Sequence, residues 1–150
     1  MILERGDMWS VFDKSDHFCI TTNSYIRKDG ALVMGRGIAK EAAQRIPGIE
    51  FRAGRQVELE CGHLGVYQPI YCDPIVLFQV KRHFSSPASI DLIRSSCAAL
   101  SVWASAHTND RFDLNFPGIG NGKLRREDVL PIINTLPDNV HVWEYGTPQF

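Results

Sequence analysis

Lys81, Arg82 and His83 stand in a row directly after the apolar run Ile75 to Val80. That places them at the mouth of a strand, where open α/β sheets bind their ligands. Three basic residues together read as a solvated cluster. They read equally as a lysine projecting into a cleft, where partial desolvation weakens its hold on a proton and makes Lys81 a nucleophile or general base. His83 would then serve as a proton donor or as a surface for a base to stack on. Two glycine stretches offer a different chemistry. Gly35 and Gly37 bracket a tight turn that runs into a helix starting near Ile38, and Pro117-Gly118-Ile119-Gly120-Asn121-Gly122 follows a strand and precedes a helix. Bends of this kind leave backbone amides unpaired at the positive end of a helix dipole, a seat for anions. Two such seats on one small domain point to a ligand carrying a diphosphate, with polar groups at both ends.

Other residues extend the pattern. Asp7 follows Gly6 at a strand end and reads either as a turn or N-cap acceptor, or as a carboxylate that accepts from an exocyclic amine such as adenine N6. Asn23, at a strand end before the first glycine turn, suits a ribose hydroxyl or an Asx turn holding its own loop. Trp143 and Tyr145 close the chain's last strand, one expected in the core and the other as an aromatic wall against a base. Cys61-Gly62-His63 with Cys72 lacks a second pair at zinc-finger spacing, so no metal site is expected. No Gly-x-Ser-x-Gly nucleophile elbow occurs.

The elements that must position these residues follow from periodicity and breakers. Strands are expected over Met1–Arg5, His17–Thr22, Leu64–Gln68, Ile75–Val80, Phe112–Phe116 and Val140–Tyr145, with His17–Thr22 central because it is apolar on both faces. Helices are expected from Gly37 to Ile46, stopped by Pro47-Gly48, and from Ile49 to Cys61 with Phe51, Val57 and Leu59 as partial core. A third follows Ser85–Ser89 and ends near His107–Asn109, its stripe Ile90, Ile93, Cys97, Leu100 and Ala104 spaced by three and four. A fourth spans Arg126 to Leu136. Strands alternating with helices define an α/β class with a central sheet covered on both faces. Tyr25 to Ala31 is expected as a surface turn and Cys72-Asp73-Pro74 as a connection.

The chain of 150 residues is long enough for one domain with its own core. It shows no internal repeat and no linker. Its net charge of −1 argues against reliance on general attraction to a phosphate backbone. Cys19, Cys61, Cys72 and Cys97 are irregularly spaced, as expected of reduced buried thiols in a cytoplasmic protein. No apolar run is long enough to span a bilayer, so no membrane partner is expected.

Taken together these residues resemble the macrodomain, a three-layer α/β/α module with a central mixed sheet that binds ADP-ribose. Gly6-Asp7-Met8 resembles its opening Gly-Asp-Ile/Leu element. Thr21-Thr22-Asn23-Ser24 resembles a divergent Asn-Ala-Ala-Asn segment, with Ile20 where the first Asn would stand. Val33-Met34-Gly35-Arg36-Gly37-Ile38-Ala39 is similar to the Val-Met-Gly-Lys-Gly-Ile-Ala turn of one branch, which holds the DNA ADP-ribosyl glycohydrolase antitoxins and the terminal ADP-ribose protein glycohydrolase. Val80-Lys81-Arg82-His83-Phe84 resembles the antitoxins' Thr-Lys-Arg-His-Trp, in which the Lys is catalytic. Pro117 to Gly122 matches the phosphate loop, and Arg126-Glu127-Asp128-Val129 resembles the Trp-Glu-Asp-Val that opens the last helix.

The resemblance implies that the adenine sits between Asp7 and the aromatics Trp143 and Tyr145, that the amides of Gly35, Arg36, Gly37 and Ile38 and of Gly118, Ile119, Gly120, Asn121 and Gly122 hold the diphosphate, and that Met8, Met34 and Pro117 also belong to the ligand site. Asn23 would hold the distal ribose against Lys81, making Lys81, Asn23 and His83 the catalytic set. The implied activity is hydrolysis at the anomeric carbon of the distal ribose, freeing ADP-ribose from DNA or protein, by a monomer that uses no cofactor. The alternatives are an ADP-ribose 1″-phosphate phosphatase and a non-catalytic reader or sink. No acid stands between Gly122 and Glu127, where the protein-glutamate enzymes place an Asp, and this leans toward antitoxin-like chemistry. Arg82, His83, Arg125 and Arg126 read either as a basic rim for a DNA strand or as wet surface.

Overall fold

A computed structural model describes residues 1–61 and 68–145. In chain order the elements are β1 (Ile2–Arg5), a 3-10 turn (Met8–Val11), β2 (His17–Thr22), α1 (Gly37–Arg45), α2 (Ile49–Cys61), β3 (Ile70–Cys72), β4 (Ile75–Gln79), α3 (Ile90–Ala106), β5 (Phe112–Asn115), a second 3-10 turn (Gly120–Gly122), α4 (Arg126–Ile133) and β6 (Val140–Glu144). The sheet runs β1-β6-β5-β2-β4-β3. Every neighbouring pair is parallel except β3 with β4. The sheet is therefore mixed, and β2 is internal, as its two apolar faces demand.

Alternation along the strands builds two cores. Phe18 and Ile20 of β2, with Ile75 and Leu77 of β4, pack against Ala39 and Ala42 of α1 and Ile49, Ala53 and Val57 of α2. Cys19, Val76 and Phe78 point the other way, onto Ile93, Cys97, Leu100 and Ala104 of α3 and Val129 and Ile133 of α4. This is the three-layer α/β/α arrangement, with the stripe of α3 where its spacing put it. Ser89 caps α3, its hydroxyl accepting from the Leu92 amide at 3.3 Å. All four cysteines are free and buried. No helix among the described residues is long and apolar enough to cross a membrane.

Several expectations need correcting. Phe51 and Leu59 face solvent, Leu59 at 69% exposure. The buried face of α2 is instead Ile49, Ala53, Val57 and Cys61, a four-residue step carried partly by small side chains. The strand expected at Leu64–Gln68 lies outside the described residues apart from Gln68, which sits in a bend. An antiparallel edge strand that was not expected, β3, occupies Ile70–Cys72 and turns into β4 through Asp73-Pro74. Helix α4 stops at Ile133 rather than Leu136, and the last strand stops at Glu144, one residue short of Tyr145.

Candidate functional site

The parallel strands all end on one rim of the sheet. The β2–β5 ladder runs only from His17–Phe112 to Cys19–Leu114. Beyond it the two strands part, and Asn115 fills the gap. Its Oδ1 accepts from the Thr21 amide at 2.9 Å and its Nδ2 donates to the Thr21 hydroxyl at 2.8 Å. Over this parting lies a cleft with two chambers that share Gly37, Ile38, Asn115, Ile119 and Asn121. Asn115 was not singled out from the sequence. The available signal was a polar residue ending an apolar strand just before a glycine loop, the same signal that drew attention to Asn23.

The two glycine bends form the cleft's facing walls. A Cβ placed on Gly37 would come within 3.3 Å of the Asn121 side-chain amide, so the bends approach closely. Among the described residues, the amides of Gly35 through Ala39 and of Gly118, Ile119 and Gly120 donate to no other part of the chain. At Gly37, Ile38 and Ala39 this follows from their place in the first turn of α1, whose cap residue Arg36 supplies no side-chain bond. Positive φ at Gly37, Gly118 and Gly120, of 59°, 81° and 66°, turns the backbone as only glycine does at low cost.

The first chamber, about 220 Å³, is lined by Asn23, Arg36, Lys81 and Phe84 with the glycine bends. Lys81 follows β4, and its ammonium donates to the Phe84 carbonyl at 3.2 Å. Partial burial pushes the pKa of Lys81 below the ordinary lysine value, and the positive charges of Arg36 and Lys123 push the same way. Asn23 is buried with both ends of its amide engaged, donating to the Val33 carbonyl at 2.9 Å and accepting from the Tyr25 amide at 3.0 Å. It therefore braces the loop between β2 and the first glycine bend while lining the chamber. His83 does not line either chamber. Its ring stacks on Phe84 at 4.2 Å and meets the edge of Tyr25 at 4.7 Å, while Nδ1 accepts from the Ser85 amide at 3.1 Å.

The second chamber, about 440 Å³, lies between Asp7, Met8, Trp9, Glu41, Trp143, Glu144 and Tyr145. Asp7 caps the 3-10 turn, Oδ1 accepting from the Trp9 amide at 3.0 Å. Trp143 is held from beneath by a wholly buried carboxylate, its Nε1 donating to Asp113 Oδ1 at 2.8 Å, and Asp113 is paired in turn with Arg111 at 3.0 Å. Tyr145, 87% exposed, stands at the rim. Trp143 is thus the core-anchored aromatic and Tyr145 the loose one. Glu144 pairs with Arg5 at 3.2 Å and with Arg126, whose Nε lies 2.7 Å from it. Met34 and Pro117 are buried beside the bends without lining the cleft.

The cleft is therefore cationic at one end, through Arg36, Lys81 and nearby Lys123, and carboxylate-bearing at the other, with bare amides between. Among the described residues no three His, Cys, Asp or Glu side chains converge to hold a metal ion; His63 lies outside them.

No protein-family model matches the chain, and no curated protein does. Solved structures do. The macrodomain of Mycobacterium tuberculosis DarG aligns with a TM-score of 0.70 at 22% identity, over 98% of this chain and 99% of that one. The macrodomain of Thermus aquaticus DarG gives 0.71 at 22% identity, over 97% of each chain. Thermosipho africanus DarTG in complex with ADP-ribose gives 0.68 at 20% identity, over 97% of this chain and 42% of that one. With near-complete overlap of layers and strands, this chain has the macrodomain fold.

Proposed function

We propose that the cleft binds ADP-ribose and that the chain releases it from an acceptor by breaking the bond at the anomeric carbon of the distal ribose. One observation carries this reading. Two bends with unpaired amides form facing walls of one cleft, and the same cleft ends at a lysine of lowered proton affinity. Backbone dipoles then hold the diphosphate without a large net charge, which suits a chain whose own charge is −1. The second chamber takes the adenine, with Trp143 as a wall and the free oxygen of Asp7 as acceptor for its amino group. A DarTG structure of the same fold was solved with ADP-ribose, which supports the choice of nucleotide.

In the first chamber the neutral Lys81 amine attacks the anomeric carbon. The bond to the acceptor breaks with its electron pair, the acceptor takes the proton shed by the lysine nitrogen, and water then hydrolyses the lysine–ribose bond. The rings of Tyr25, His83 and Phe84 cluster beside Lys81, with Phe84 43% exposed, and their faces favour an acceptor bearing a base over an acidic side chain.

Turnover of ADP-ribosylated DNA, ADP-ribosylated protein and ADP-ribose 1″-phosphate, followed side by side, tests this. Release from DNA is expected. Release of phosphate alone makes the chain a phosphatase, and binding without release from any substrate makes it a reader. The variant Lys81→Ala loses at least about 100-fold in turnover while calorimetry still detects ADP-ribose. Undiminished turnover by that variant removes the lysine from the reaction.

A further inference from the structure

The strand that delivers Lys81 ends in a buried amide that the proposed reaction does not use. Gln79 is fully buried on the α1–α2 face of the sheet. Its cross-strand partner in the ladder is Thr22, whose buried hydroxyl has no hydrogen-bond partner. The Gln79 amide is therefore spent elsewhere. Its Nε2 donates to the Ser24 hydroxyl at 2.8 Å, and its Oε1 accepts from the Cys61 thiol at 3.4 Å. Ser24 passes the interaction on. Its hydroxyl donates to the Lys81 carbonyl at 3.4 Å, and its own amide donates to the Arg82 carbonyl at 3.3 Å. On its far side the Gln79 carbonyl accepts from the buried Ser96 hydroxyl at 2.8 Å, which anchors the strand end to α3. Every donor in this chain points toward the lysine, an order in which each bond polarises the next.

We propose that Gln79, acting through Ser24, is a positioning residue that fixes the backbone of Lys81 at the chamber wall. The proposal rests on Lys81 being the reacting group. Without the clamp the Lys81 carbonyl loses its hydrogen bond from the Ser24 hydroxyl, and the side chain is tied to the chamber by the bond from its ammonium to the Phe84 carbonyl, within its own turn. The side chain then moves out into solvent, away from Arg36 and Lys123, and recovers ordinary proton affinity.

The test compares Gln79→Met, Ser24→Ala and Ser24→Thr with the parent chain, with thermal melts to confirm folding. Trace acetylation with acetic anhydride across a pH series, read peptide by peptide in a mass spectrometer, gives the titration midpoint of Lys81 without any substrate. The expected result is a midpoint that rises in Gln79→Met and Ser24→Ala and is restored in Ser24→Thr. With it, kcat falls about 10-fold to 100-fold and ADP-ribose affinity changes by less than about threefold. A midpoint unmoved in whichever of the two variants folds overturns the proposal. If the midpoint moves while the parent chain turns over no substrate, the positioning role stands and the hydrolase reading falls.

Discussion

Gly35 and Gly118 open equivalent bends, each between a strand and the start of a helix, yet a methyl group added to them meets different surroundings. At Gly35 it finds nothing within 4 Å, and the backbone conformation is one that other residues adopt. At Gly118 it would lie 2.7 Å from Ile93 Cδ1 and 2.8 Å from Leu124 Cδ1, at a φ of 81°. Gly122 repeats the second case more mildly, 2.9 Å from the Ala88 side chain. The second bend is packed onto the start of α3, where the Ala88 amide also donates to the Gly122 carbonyl at 2.9 Å. The first stands open to solvent and to whatever enters the cleft. Gly118 is glycine because the fold leaves no room for more, whereas at Gly35 neither packing nor backbone demands it, the case that the proposed diphosphate contact would explain. Sequence alone does not distinguish these two causes.

The comparison can be broken at several points. Gly118→Ala has the largest expected effect. Overpacking together with a left-handed backbone costs about 3 kcal/mol, which lowers the melting temperature by about 10 °C for a domain of this size. A melt unchanged from the parent chain would mean that the second bend is as free as the first. Gly35→Ala is expected to leave stability within about 0.5 kcal/mol while calorimetry records about a tenfold loss of ADP-ribose affinity. If affinity holds, that bend does not touch the ligand. The smallest effect is Lys123→Ala. Removing a neighbouring positive charge lets Lys81 keep its proton to higher pH, so the rising limb of the pH–rate profile moves to higher pH. Turnover measured on that limb drops roughly twofold, because the Lys123 charge is exposed and screened. A limb that does not move would remove the Lys123 charge from the titration of Lys81, and a rate that falls as pH rises would show Lys81 acting as a cation rather than as a nucleophile.

Much of this architecture was legible in the residues. The central place of His17–Thr22 followed from its two apolar faces, and α3 from a stripe that the packing reproduces. Both glycine bends and the lysine after β4 stood out by position. What escaped notice depended on partners distant in sequence. Ile70–Cys72 is a strand only because it pairs with β4, and three residues carry no period to read. Ala53 and Cys61 outrank Phe51 and Leu59 inside α2 because the helix sits close to β3 and the Ala31–Leu32 segment, where small side chains fit. Asn115 matters because two strands diverge beside it. His83 stands two residues beyond the lysine, where the chain has left β4 and bends, and its ring turns to Tyr25 and Phe84 rather than into the cleft.

The most direct measurement is a crystal structure of the chain with ADP-ribose. The account predicts diphosphate oxygens about 2.7–3.2 Å from amides in both Gly35–Ala39 and Gly118–Gly120, with the distal ribose beside the Lys81 ammonium and the adenine against Trp143. A diphosphate bound away from those amides, or a Lys81 side chain turned from the sugar, would contradict it.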